Sequence, residues 1–147
     1  MNNKSKHLRM FKTRFANPHG LDHINNYSTC EDVSIMCKEA MNNPTFRKIV
    51  KTVSHKGTFK FFQDGKVVAR SVHWTNTNKL LEHTYVNGIK TGITSKAGGC
   101  LATSFLLDGQ KEGFIVVLGS VSAEARFKDT LRVMNMARDE EELSTTS

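Results

Sequence analysis

An α+β fold, with an antiparallel sheet and helices packed on it, is what this 147-residue sequence predicts. Three observations carry that reading. Apolar residues recur at helical spacing in the first third of the chain and again near its end. Between them lie five strand-like runs rich in β-branched and aromatic residues. Two pairs of those runs are joined by short polar turns, as in hairpins, rather than by helical crossovers. Helix, then hairpin-linked strands, then helix is the order of an α+β domain.

The elements follow in chain order. Residues 2–11 read as a helix with Leu8 and Phe11 turned inward. "TRFANPHGLDHINNYST", residues 13–29, is a loop punctuated by Asn-Pro, His-Gly and Asn-Asn. Ser28 and Glu31 have the S-x-x-E spacing of a capping box. Behind them Val33, Met36, Cys37, Ala40 and Met41 fall on one helical face, predicting about three turns that end near Asn42–Pro44. "GTFKFFQDGKVVARSVHW" is a hairpin about Asp64-Gly65. "TNTNKLL" is a loop running into an apolar pair, and "TYVNGIKTGIT" a strand. "CLATSFLL" and "GFIVVLGS" form a second hairpin around "DGQKE". Phe127, Leu131 and Met134 in "SAEARFKDTLRVMNMA" mark a closing helix. The expected organisation is one domain over residues 1–138 and an acidic, disordered tail over 139–147.

Composition narrows the function classes. No apolar run approaches the roughly 18 residues of a membrane span. The basic start "MNNKSKHLRMFKTRF" has no apolar h-region, so it reads as a helix rather than a secretory signal, and the compartment is left open. Cys30, Cys37 and Cys100 are too few, and odd in number, for a disulfide framework. Cys30 and Cys37 read as small apolar packing residues. His19 and His23 are spaced H-x-x-x-H, but on a Gly-containing loop and without the H-E-x-x-H glutamate, so no metal site is expected. No cofactor is implied. The net charge is +7, and setting aside the four acids Asp139–Glu142 leaves residues 1–138 at +11. That charge is dispersed and no nucleic-acid-binding signature accompanies it, so the expectation is a solvated basic surface without a nucleic-acid partner.

The informative stretch is "YVNGIKTGITSKAGGC", Tyr85–Cys100. On a strand, Lys90, Gly92 and Thr94 line one face and Thr91 the other. Lys90 offers a point charge, Thr91 and Thr94 hydroxyls, and Gly92 a place where a ligand or another backbone can come close. Together they suit a substrate with a carboxylate and an extended peptide backbone. Alone, three residues are equally consistent with a solvated strand end.

Lys90-Thr91-Gly92 also matches the K-T-G member of the motif set S-x-x-K, S-x-N and K-T-G of penicillin-binding proteins and serine β-lactamases. More of the chain agrees. "MNNKSKHLRMFKTRFANPHGL" resembles the segment that follows S-x-N in D-alanyl-D-alanine carboxypeptidases, the low-molecular-mass penicillin-binding proteins. "YSTCEDVSIM" is similar to the helix after it. "NTNKLL", "GIKTGITSKAGGCL" and "VVLGSVSAEARFKDTLRVM" resemble the approach to the K-T-G strand, the strand with its turn, and the last strand with the closing helix. The resemblance runs from Met1 to about Ala137. One position departs inside it: Arg9 stands where the family pattern has Gly, a change at the end of the first helix.

The resemblance implies a β-lactamase/transpeptidase-like sandwich, and in this chain an incomplete one. S-x-x-K, S-x-N and G-x-S-x-G are all absent from the 147 residues. The family's acylating serine and its lysine lie N-terminal to the matched segment, so strands and helix faces are expected to be left uncovered. No catalytic residue is therefore assigned. Substrate-side roles carry over to Lys90, Thr91, Gly92 and Thr94, and to Ile93 through its backbone N–H in an oxyanion hole. Arg126 falls where related enzymes hold the substrate's terminal carboxylate; a solvated helix residue is the competing reading. His19 is expected to fix its loop.

Two functions are implied. The first is the C-terminal part of a serine D-Ala-D-Ala carboxypeptidase, a hydrolase of peptidoglycan-type peptides inhibited by β-lactams, with the missing N-terminal half as partner; family members usually work outside the cytoplasmic membrane. The second is a catalytically inactive standalone protein that binds peptide carboxylates through the K-T-G strand. By either reading this chain alone has no turnover.

Overall fold

The computed structural model describes residues 1–107 and 109–145. Among the described residues there are four helices: α1 (Asn2–His7), α2 (Cys30–Met41), α3 (Pro44–Lys51) and α4 (Ala125–Thr145). Five strands accompany them: β1 (Ser54–Gln63), β2 (Lys66–Thr75), β3 (Val86–Thr94), β4 (Gly98–Leu106) and β5 (Glu112–Ser120). A 3₁₀ turn spans Lys79–Glu82. All strand pairs are antiparallel, and helices flank the larger sheet, as expected.

That larger sheet has the order β3-β4-β5 and is covered on both sides. α4 packs on β4 and β5 over a core of Leu80, Val86, Leu101, Phe105, Ile115, Phe127 and Met134. α2 packs on β5 and β4, and α3 on β3, over Cys37, Met41, Ile89 and Ala102. Burial pushes the Cys37 thiol up to about 11, as befits a packing residue.

The Asp64-Gly65 hairpin forms as predicted, with φ of 50° and 74° at the two turn residues. Positive φ at both central positions matches the right-handed strand twist, which is why Asp-Gly serves there. It is, however, a separate two-stranded sheet rather than part of the main one. Phe59, Phe61, Phe62, Val67 and Trp74 are exposed along it. Apolar faces left open were expected of an incomplete fold; their concentration on this hairpin was not.

Four local expectations are corrected. α1 ends at His7, and Met10 rather than Phe11 turns inward: Met10 is 1 % exposed and Phe11 79 %. The N-cap of α2 is Thr29, whose side chain accepts from the Asp32 amide at 3.2 Å. Ser28 instead lies 2.7 Å from the Thr13 hydroxyl, so the S-x-x-E spacing was one residue out of register with the actual cap. α3 was not foreseen, although Asn43 caps it through the Phe46 amide and Pro44 opens it, both ordinary start signals. Finally, α4 continues to Thr145, so residues 139–145 of the expected disordered tail are helical, and Glu141 pairs with Lys111; residues 146–147 of that tail lie outside the described residues.

Candidate functional site

The loop over residues 13–29 is fastened before it reaches the sheet. Arg14 and Tyr27 exchange backbone hydrogen bonds of 2.9 and 3.0 Å. The buried Asp32 carboxylate accepts from the Lys12 amide at 2.9 Å and the Thr13 hydroxyl at 2.6 Å. Within the loop, Asn17 accepts from the Gly20 amide at 2.8 Å and donates to the Leu21 carbonyl at 3.0 Å. His19 Nδ1 accepts from the Leu21 amide at 3.2 Å, the loop-fixing role expected of it.

This loop meets the C-terminal end of β3. Thr94 donates its hydroxyl to Asp22 at 2.6 Å, and the Ala97 amide donates to the same Thr94 oxygen at 3.0 Å. A cleft of about 760 Å³ opens between the loop, α2 and β3; His19, Leu21, Met36, Lys90, Gly92 and Thr94 are among its walls. Its apolar lining includes Val33, Ala40, Phe46, Ile89 and Val116.

The strand alternates as predicted only over Lys90–Gly92; Val86–Ile89 are all buried and Ile93 is exposed beside Gly92. Lys90 and Gly92 are exposed and Thr91 is buried. A Cβ at Gly92 would meet nothing within 4 Å, so this side of the strand is open to a ligand. The Lys90 ammonium donates to the Thr91 carbonyl. Thr91 and Thr77 share a hydroxyl hydrogen bond of 2.6 Å, which seats the "TNTN" stretch behind the strand. Asn76 completes that seat by donating to the carbonyls of Val50 and Thr52 at 3.2 and 3.0 Å. The side chain of Ile93 is exposed.

Arg126 is not a solvated helix residue. It is 7 % exposed, donates Nη1 to the Gly92 carbonyl at 2.7 Å, and stacks its guanidinium 4.9 Å over the Phe127 ring. Its Nε is buried without a hydrogen-bond partner. The glycines of "SKAGGC" make this approach possible: a Cβ at Gly99 would lie 2.4 Å from the Ser122 carbonyl oxygen and 3.5 Å from the Arg126 Cβ. A side chain there would push the start of α4, and Arg126 with it, off the sheet.

The structure thus gathers Lys90 through Thr94 and Arg126 around one strand. It adds Asp22 and Thr77, which the sequence reading did not single out. Thr77 lies in a stretch that carries the family resemblance and Asp22 just beyond another, but their partners are 14 and 72 residues away, beyond the reach of any local spacing rule. Chemically, two cations and an open strand face suit an anionic, extended ligand. The described residues contain no group of three or more metal-ligating side chains.

Comparison with known proteins agrees with this architecture. Residues 1–122 match the family model described as D-alanyl-D-alanine carboxypeptidase, and the chain belongs to that family. It is 33 % identical over 136 residues to a D-alanyl-D-alanine carboxypeptidase of Streptomyces strain K15, covering 92 % of this chain and 46 % of the relative. A second relative, the D-alanyl-D-alanine carboxypeptidase DacF of Bacillus subtilis, is 31 % identical, covering 93 % of this chain and 33 % of its own length. The chain therefore spans half or less of the curated relatives it matches. Among solved structures, the Streptomyces K15 DD-transpeptidase superposes with a TM-score of 0.83 at 33 % identity, covering 92 % of this chain and 51 % of that one. Penicillin-binding protein D2 of Listeria monocytogenes, solved in a cefotaxime-bound form, gives 0.73 at 28 % identity over 92 % of this chain and 52 % of that one.

Proposed function

We propose that residues 1–138 are the C-terminal portion of a serine D-Ala-D-Ala carboxypeptidase domain, and that β3 with Arg126 is the substrate-side wall of its site. The observation that carries this is the open face of β3: Lys90 beside an unobstructed Gly92, with the buried Arg126 held to the Gly92 carbonyl. In this reading Lys90 and Arg126 attract the terminal carboxylate of a D-Ala-D-Ala peptide, or the carboxylate of a β-lactam. The Ile93 amide supplies one oxyanion donor. The free edge of β3, the outer strand of the sheet, takes the peptide backbone. Thr91 acts from behind, through Thr77, while Thr94 spends its proton on Asp22.

The nucleophile is not among these residues, because S-x-x-K and S-x-N do not occur in the sequence. It would come from another segment, in the same chain or in a partner. The complete site would acylate on that serine, release the terminal D-alanine and hydrolyse the acyl-enzyme. Loss of the serine typically costs on the order of 10⁶ in kcat. A fluorescent penicillin incubated with this chain alone is accordingly expected to leave no covalent adduct. A binding protein without catalysis is the second reading, and it shares the binding step.

That step is testable directly. Titrating an N-acylated D-Ala-D-Ala peptide should move the backbone amide resonances of Lys90–Thr94 in a saturable way. Lys90→Ala should weaken binding at least severalfold. Shifts confined to other elements, or indifference to Lys90→Ala, would remove both readings.

A further inference from the structure

A second groove, of about 510 Å³, lies where α3 meets the base of the β1–β2 hairpin. Lys48, Ile49, Ser54, His55, Trp74 and Thr75 are among its walls, and it shares no lining residue with the cleft at β3. Strand register explains the aromatic wall. His55 and Trp74 are directly opposed partners, so both side chains stand on one face of the ribbon, and Phe59 follows on that face. The indole lies within 16° of parallel to the His55 ring, with centroids 6.0 Å apart, and meets Phe59 edge-on at 5.3 Å. Its six-membered ring rests on Gly57, where a Cβ would come within 3.0 Å of it. The indole is thereby held in place, yet Trp74 stays 42 % exposed.

The rim is polar and cationic. Lys48, Ser54, His55 and Thr75 are exposed, and none of their side chains is in a hydrogen bond or ion pair among the described residues. No carboxylate lines the groove. Residues 44–75 carry seven Lys and Arg against one acid, Asp64, and among the described residues only Arg47 of the seven is ion-paired. These features select a ligand. An exposed aromatic surface receives the C–H groups of a saturated ring. Unpaired hydroxyls and an imidazole can each donate and accept, which matches a ring of hydroxyl groups. Uncompensated cations favour a negative charge. A purely apolar ligand would leave the rim without partners, and a cation would be repelled.

We propose that this groove is a binding site for an anionic sugar, with the pyranose ring stacked on Trp74 and the carboxylate beside Lys48. Its volume lies in the usual range of small-molecule sites, roughly 300–1,000 Å³.

The chain has one tryptophan, so its indole N–H gives a single resonance that reports on the groove. Methyl glucuronide and methyl glucoside differ only in carrying a carboxylate or a hydroxymethyl group on the same ring. The glucuronide is expected to shift the Trp74 indole resonance saturably. It should bind about 2- to 5-fold tighter than the glucoside at low ionic strength, with the difference fading as salt is raised. Lys48→Gln, a change at an exposed side chain, should melt like the parent and bring the two sugars to equal affinity. Adenosine monophosphate, an anion that offers a flat base for stacking, should bind more weakly than the glucuronide. An indole resonance that neither sugar moves, equal affinities in the unaltered chain, or a preference that survives Lys48→Gln would overturn the inference. Tighter binding of the nucleotide would overturn it too, by making the groove a nucleotide site.

Discussion

Arg9 shows how one residue can depart from a family pattern and keep its structure. Its φ is 60°, the left-handed region that glycine enters freely. The Arg9 amide donates to the Lys6 carbonyl at 3.0 Å and the Met10 amide to the Ser5 carbonyl at 2.9 Å, which is the Schellman ending of α1. The sequence reading located the anomaly and its link to the helix end; the sign of φ supplies the reason. Arg9→Gly is therefore expected to stabilise the chain, by roughly 0.5–1 kcal/mol, visible as a higher melting temperature. An unchanged or lower melting temperature would show that the Arg9 side chain compensates elsewhere. Gly99 is the opposite case. Gly99→Ala forces a Cβ against the Ser122 carbonyl and should cost on the order of 1–3 kcal/mol in a denaturant melt. A variant within a few tenths of the parent would mean that the start of α4 yields easily.

At the scale of elements, one network joins α3 to the sheet. Arg47 donates to both Glu112 carboxylate oxygens at 2.8 and 2.7 Å, and Ser104 donates to one of them at 2.5 Å. Burial acts to raise the Glu112 carboxyl, but the hydrogen bonds from Arg47, Ser104 and Asn87 outweigh it and hold the group below its usual 4.5. A depressed folded value contributes stability above the unfolded value, and that contribution is lost as pH falls through the folded one. The stability of the parent should drop more steeply below about pH 4.5 than that of Glu112→Gln. Parallel acid-side profiles would contradict the assignment. Much at this scale was legible in the sequence: two of the three hairpins, β1–β2 and β4–β5, with α2 and α4, follow from turn residues and apolar spacing. α3 was not, because its few apolar residues, Phe46, Ile49 and Val50, form too short a pattern between two polar stretches. The site was legible only in part. Lys90 through Thr94 stand together in sequence, whereas Asp22 and Thr77 come to the strand by folding alone.

For the molecule as a whole, the two sheets differ in support. The main sheet has helices on both faces, while the β1–β2 hairpin exposes its aromatic residues. Amides of β1 and β2 are expected to exchange with solvent faster than those of β4, the central strand, since few buried contacts hold the hairpin closed. Equal protection would mean that the hairpin is covered in solution. The central claim is that β3 and Arg126 form one wall of a penicillin-reactive site whose nucleophile lies elsewhere. The most direct measurement is fluorescent penicillin labelling of a chimaera. An S-x-x-K- and S-x-N-bearing segment from the Streptomyces relative would be fused ahead of this chain, and a cooperative melt established first. The account predicts covalent labelling of the chimaera, none of this chain alone, and a fall of at least tenfold in labelling rate with Lys90→Ala. A folded chimaera that stays unlabelled, or labels equally well without Lys90, would contradict it.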